Sequence, residues 1–119
     1  MGKGKRKSKL ERKKARYKKM YKSWGEVFCP ALKSKVKFTN LGWDHLVERK
    51  KRTKVEKSKR LELLPFVKKI LKNSHTIQGT RFQDGINYWE FISIQNNKKL
   101  TVLVSKKKSE FTFFSIFEM

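Results

Sequence analysis

His45 is the residue of this chain best placed for proton transfer. It follows the alternating segment Lys35-Val36-Lys37-Phe38-Thr39 and the turn Asn40-Leu41-Gly42, and a block of cations begins at Arg49. If residues 43–60 form one helix, Arg49 and Arg52 lie one and two turns beyond His45 on its face. An imidazole in line with guanidinium groups suits a phosphate at which a bond is broken. The alternative is a histidine at a helix start, packed beside Trp43 in a structural role. His75 follows a helix end, where a cap or dipole role fits better.

The scarcity of other reactive groups narrows the chemistry. Two His and one Cys, Cys29, do not give zinc spacing or an intrachain disulfide. There is no phosphate-cradling Gly-rich loop and no Ser nucleophile elbow. The acids are scattered and outnumbered three to one, so a carboxylate cluster around Mg²⁺ is not expected, and no metal or cofactor is implied. RNA escapes this shortage because it carries its own nucleophile, the ribose 2′-OH. Its cleavage needs a base, an acid and cations on the phosphorane charge.

Hydroxyl and aromatic residues near the C-terminus add candidates. Strict alternation places Phe111, Phe113, Ser115 and Phe117 on one strand face and Thr112, Phe114 and Ile116 on the other. Ser115 is then either a satisfied core hydroxyl or a phosphate ligand. Tyr88 and Glu90 share a face of the segment Ile86–Gln95. Tyr88 either stacks a base or packs in the core, and Glu90 is either a base or a solvated carboxylate.

The chain has 119 residues and a formal net charge of +22, with 32 Lys+Arg against 10 Asp+Glu. Residues 1–22 carry +11 and residues 49–60 carry +7, so the basicity sits in two blocks on an otherwise ordinary small domain. A polyanion is the natural partner. Lys5, Arg6, Arg12 and Arg16 in the first block and Lys50, Lys51 and Lys54 in the second are the candidate phosphate contacts, with Tyr88 as a stacking residue. No run of about 18 apolar residues is present, and no apolar stretch follows the basic N-terminus. A cytoplasmic protein without membrane partners is the expectation.

These groups need elements to position them. Leu10, Tyr17 and Tyr21 keep approximate helical spacing, so residues 9–22 read as a helix weakened by like charges such as Lys9/Lys13. The segment is therefore a basic helical or disordered arm over residues 1–23, ahead of one domain over 24–119. Residues 24–30 read as irregular, 35–39 as a strand and 43–47 as a helix start. Leu63 to Leu71 form one helical face with Pro65 near its start and Asn73 as its stop. Residues 74–78 read as a short strand and Gly79–Gly85 as a loop. Strands at 86–95, 100–105 and 111–117 close the chain as an antiparallel meander, giving an α+β class.

The run Val36-Lys37-Phe38-Thr39-Asn40-Leu41-Gly42-Trp43-Asp44-His45-Leu46 resembles the strand, turn and Gly/Ser-Trp-x-His-hydrophobic opening of small phage and bacterial nuclease-like domains. These belong to the barnase–EndoU–colicin–RelE-like (BECR) fold. Arg60-Leu61-Glu62-Leu63-Leu64-Pro65 to Leu71 is similar to the helix that follows in that family, and Phe113-Phe114-Ser115-Ile116-Phe117 to its last strand. The likeness covers roughly residues 35–119. It implies N-terminal helices packed on a four-stranded antiparallel sheet and metal-independent RNA cleavage, usually as a toxin. By the resemblance His45 matches the helix histidine and Ser115 the terminal-strand hydroxyl. One of Arg49, Arg52, Lys54 and Arg60 fills the cationic role. The Phe-rich strands and the basic arm depart from the family pattern.

Two function classes therefore stand. One is a metal-independent endoribonuclease, toxin-like, with an acidic antitoxin or immunity protein as its natural counterpart. The other is a non-catalytic RNA-binding protein of ribosomal or phage-accessory type. DNA binding through the arm is weaker, and membrane-surface binding weaker still, because the arm lacks a wide apolar face.

Overall fold

The structure, a computed structural model, describes residues 8–48 and 53–118. Helix α1 (Lys9–Trp24) starts at Ser8, whose hydroxyl accepts the Glu11 amide at 3.1 Å. Its cations repel one another, so packing has to hold it. Leu10, Tyr17, Met20 and Trp24 lie against the core, and Tyr21 is 2% exposed. The Tyr21 hydroxyl donates to the Thr39 carbonyl at 2.7 Å, and burial pushes the phenol pKa upward. The segment is thus helical, and its C-terminal half is built into the core rather than hung before it.

Strand β1 (Glu26–Cys29) replaces the irregular segment expected there. It pairs antiparallel with β2 (Ser34–Lys37) around a 3₁₀ turn, Pro30–Leu32. Where a turn was expected at residues 40–42, Thr39 caps helix α2 (Asn40–Trp43) by accepting the Gly42 amide at 3.3 Å. The helix widens into a π turn, Asp44–Glu48. One helix over 43–60 is not formed. Thr53 has extended backbone and accepts the Glu56 amide at 3.1 Å, starting a new helix, α3 (Lys54–Leu63). Helix α4 (Pro65–Asn73) ends at Asn73 as expected but begins at Pro65, and Leu63, expected on its face, ends α3 instead.

Four strands follow: β3 (Gly79–Gln83), β4 (Ile86–Gln95), β5 (Lys98–Lys107) and β6 (Glu110–Glu118). The strand expected at 74–78 lies instead at β3. Asp84 and Gly85 take φ of 52° and 77°, the left-handed pair of a two-residue hairpin turn, so the expected loop is a strand and a tight turn. Asn96 and Asn97 make the next hairpin in the same way.

The described residues form one six-stranded sheet in the order β1-β2-β6-β5-β4-β3. It is mixed, because β2 pairs parallel with β6 through Val36↔Phe111 and Lys37↔Thr112. The α+β class stands. The four-stranded antiparallel sheet does not, since β1–β2 joins one side of the meander and β3 the other. Leu61, Leu64, Val67, Ile70 and Leu71 bury against Phe91, Leu100, Val102, Val104, Phe113 and Ile116. No helix among the described residues is long and apolar enough to cross a membrane.

Phe113 and Ile116 both reach this core, which strict alternation forbids. The register explains it: Leu103 faces Ser115 and Val104 faces Phe113, leaving Phe114 as an extra residue in a bulge. Ser115 therefore leaves the face of Phe113.

Thr101 is fully buried on the face of β5 opposite Val102, and its hydroxyl has no hydrogen-bond partner among the described residues. An unmet buried hydroxyl costs about 1–3 kcal/mol. Thr101→Val keeps the β-branched shape and should raise the free energy of unfolding by about 1 kcal/mol in urea melts. A loss of stability would mean the hydroxyl has a partner.

Candidate active site and basic groove

Past Thr112, β6 has no paired strand on its β2 side among the described residues. The chain after β2 supplies what lies there: α2, the π turn and α3. The π turn brings the half-buried His45 ring against Phe114, with centroids 4.2 Å apart and planes at 40°. Phe114 also meets Tyr88 edge-on at 4.8 Å. From α3, Arg60 Nη1 donates to Ser115 Oγ and to the Ile116 carbonyl, each at 2.9 Å, and its guanidinium lies 5.4 Å from the Phe117 ring centroid.

Three of the predicted catalytic residues thus meet at one stretch of β6. His45 packs on the residue next to Ser115, and Arg60 is bonded to Ser115. The bulge is the local cause, because it turns Phe114 and Ser115 off the core face together. Ser115 is 3% exposed. Its hydroxyl is placed to hold the guanidinium rather than to meet a ligand. Both bonds to β6 are made by one nitrogen of the Arg60 fork, which carries five N–H donors in all.

The remaining candidates divide. Arg49, Lys50, Lys51 and Arg52, with Lys5 and Arg6, lie outside the described residues. Tyr88 is buried against Phe114, which removes it as an open stacking surface for a base. Glu90 is paired with Arg81 at 2.6 Å, neither a free base nor a purely solvated carboxylate. Lys54 does not join His45. It lies with Arg12 and Arg16 in a separate groove.

That groove, about 640 Å³, runs between α1 and the start of α3. Lys9, Arg12 and Arg16 come from α1, and Lys54 and Lys59 from α3, with Leu10 and Val55 as the apolar lining. Lys13 is fastened at its side, donating to Glu62 at 2.6 Å and Ser58 at 2.8 Å. This hydrogen bond holds the Glu62 carboxyl below the usual carboxylate range. Lys14 pairs with Glu48 at 2.9 Å and ties α1 to the π turn that carries His45. Lys9, Lys13 and Lys59 were not among the sequence candidates, although the 9, 12/13, 16 spacing on a helix was visible.

No family model, no curated protein and no solved structure matches the chain. The site is therefore read from its own chemistry. Among the described residues no group of three or more His, Cys, Asp or Glu is gathered that could hold a metal ion. Cys29 is buried, and burial pushes its thiol pKa up, away from nucleophilic use.

Proposed function

We propose that this chain binds RNA and cleaves it without a metal, through the ribose 2′-OH, as a toxin-like endoribonuclease. The observation that carries the reading is that His45 packs on Phe114 while Arg60 bonds the adjacent Ser115, on the stretch of β6 that β2 does not reach. A metal-independent cleavage asks for one group that moves a proton near neutral pH and one fixed cation. His45 takes the proton from the 2′-OH or gives one to the departing 5′ oxygen, with solvent completing the other transfer. Arg60, oriented by Ser115 and the Ile116 carbonyl, stabilises the charge that develops on the phosphorane. The products are a 2′,3′-cyclic phosphate and a 5′-hydroxyl.

The resemblance of the run Val36 to Leu46 to the opening of barnase–EndoU–colicin–RelE-like domains points to the same activity. The charge of +22 supports RNA as the target and an acidic antitoxin or immunity protein as the inhibitor. The burial of Ser115 and the engagement of Arg60 by β6 favour a second reading, RNA binding without cleavage.

The two readings separate in one assay. Purified protein incubated with RNA in EDTA should yield fragments ending in 2′,3′-cyclic phosphate. Intact RNA after long incubation with folded protein rejects the nuclease and leaves the binding protein.

A further inference from the structure

The groove between α1 and α3 has no part in the chemistry at β6, yet it gathers cations from two helices. Its lining holds six cations and one acid, Glu62, and Lys13 already neutralises that acid. Lys9, Arg12, Arg16, Lys54 and Lys59 have no ion-pair partner among the described residues. Arg12 and Arg16 stand one helical turn apart on α1, with Lys9 a turn before them. Lys54 and Lys59 line the facing wall. Like charges in two facing rows repel, and a polyanion laid along the groove relieves that repulsion at several of them at once.

We infer that this groove is a second RNA site, which tracks the phosphates of a single strand away from the point of cleavage. The inference rests on the RNA reading above. The cations take consecutive phosphates, while Leu10 and Val55, which is 65% exposed, offer an apolar surface to a ribose or base. A protein partner fits the lining less well. Tightly bound protein interfaces are anchored by large buried aromatic or Arg-filled pockets, and the groove has no aromatic lining residue. Both walls belong to the folded body: α1 is fastened by Tyr21 and by Lys13 to Glu62, so the two helices that carry the cations are in place before RNA arrives. Preorganisation of this kind reduces the ordering cost of binding.

The experiment uses the full chain and a fluorescent oligouridylate with 2′-O-methyl riboses, which cannot be cleaved. The groove variant carries Arg12→Gln, Arg16→Gln, Lys54→Gln and Lys59→Gln. The control loses equal charge elsewhere, through Lys69→Gln, Lys72→Gln, Lys106→Gln and Lys107→Gln. Far-UV circular dichroism and melting establish that both are folded, and Arg12→Lys with Arg16→Lys serves as the charge-keeping variant. The slope of log affinity against log salt should fall by about 3 in the groove variant, from about 0.7 per phosphate contact on a single strand. It should stay near the parent value in the control and in the charge-keeping variant.

An equal fall in groove variant and control would overturn the site, because the effect would then be net charge alone. An unchanged RNA slope with lost binding of polyglutamate would also overturn it, assigning the groove to an acidic protein. Cleavage of a dinucleotide, too short to span both sites, keeps the two proposals apart. If it is undiminished in the groove variant, the groove acts only on long RNA. If no variant cleaves it while the slope still falls, the nuclease reading fails and the groove stands.

Discussion

His45→Ala should lower the rate of RNA cleavage by about 10²–10⁴-fold, the usual worth of a positioned proton-transfer group, while RNA affinity is kept. The reason for the split is geometric. The imidazole sits in the π turn, packed on Phe114, whereas the basic groove is built by α1 and α3. Removing the ring therefore takes away proton transfer without taking away phosphate contacts. Arg60 is the companion test, and Arg60→Lys is the informative change. Lysine keeps the charge, but it is shorter and lacks the planar guanidinium whose Nη1 reaches Ser115 Oγ and the Ile116 carbonyl while its plane lies near the Phe117 ring. The rate should fall by about 10²-fold, comparable to the loss of one donor at a developing oxyanion, with the larger change in kcat than in KM. Stability should fall by about 1–3 kcal/mol, because two acceptors beside a buried strand lose their donor. Cleavage that survives His45→Ala at the parent rate would move the chemistry elsewhere.

The sequence makes His45 conspicuous but not its neighbours, and the reason lies in single residues. The meander of β4, β5 and β6 is legible because long apolar runs are separated by turn-forming pairs such as Asn96-Asn97. Helix α4 is legible from the spacing of Phe66, Val67, Ile70 and Leu71 and its stop at Asn73, but the break that gives Leu63 to α3 is not. The bulge at Phe114 is not, since no residue type announces an extra position in a strand, and one such position reverses which face Ser115 occupies. The pairing of Arg60 with Ser115 crosses 55 positions of sequence and depends on that reversal. Thr53-x-x-Glu56 and Thr39-x-x-Gly42 carry cap signals in plain view, yet helical spacing of cations over 43–60 masks the first, and the turn propensity of Asn40 and Gly42 masks the second. The parallel contact of β2 with β6 joins segments over 70 residues apart through two register pairs, too short a match for pattern reading. The basic arm was legible as charge but not as core, because a single residue, Tyr21, is fully committed to burial.

Gly42→Ala should be the most damaging alanine substitution among the described glycines. Helix propensity alone argues for the opposite sign, since alanine in a helix is favoured over glycine by about 1 kcal/mol. Contact geometry decides otherwise. A Cβ at position 42 would lie 2.5 Å from the Phe113 carbonyl oxygen, 2.7 Å from the Tyr21 hydroxyl and 3.2 Å from Phe113 Cδ2. The hydroxyl and the ring edge belong to side chains that can shift, but the carbonyl is part of β6 and is fixed by the sheet. Relief requires α2 to rise off the strand, which drags Thr39 from the Tyr21 hydroxyl it accepts at 2.7 Å and displaces the π turn with His45. Overpacking of this kind costs about 3 kcal/mol, and each kcal/mol moves Tm by about 4 °C in a domain of this size. Gly85→Ala is the comparison: its φ of 77° is unfavourable for alanine, but a Cβ there meets nothing within 4 Å, so the loss should be about 1–2 kcal/mol. Adding Tyr21→Phe separates the contacts at position 42. It removes the 2.7 Å clash and one hydrogen bond worth about 1 kcal/mol, and leaves the carbonyl untouched. The double variant should therefore remain destabilised in thermal and urea melts. Recovery to the stability of Tyr21→Phe alone would show that the hydroxyl, not β6, sets how closely α2 approaches the sheet.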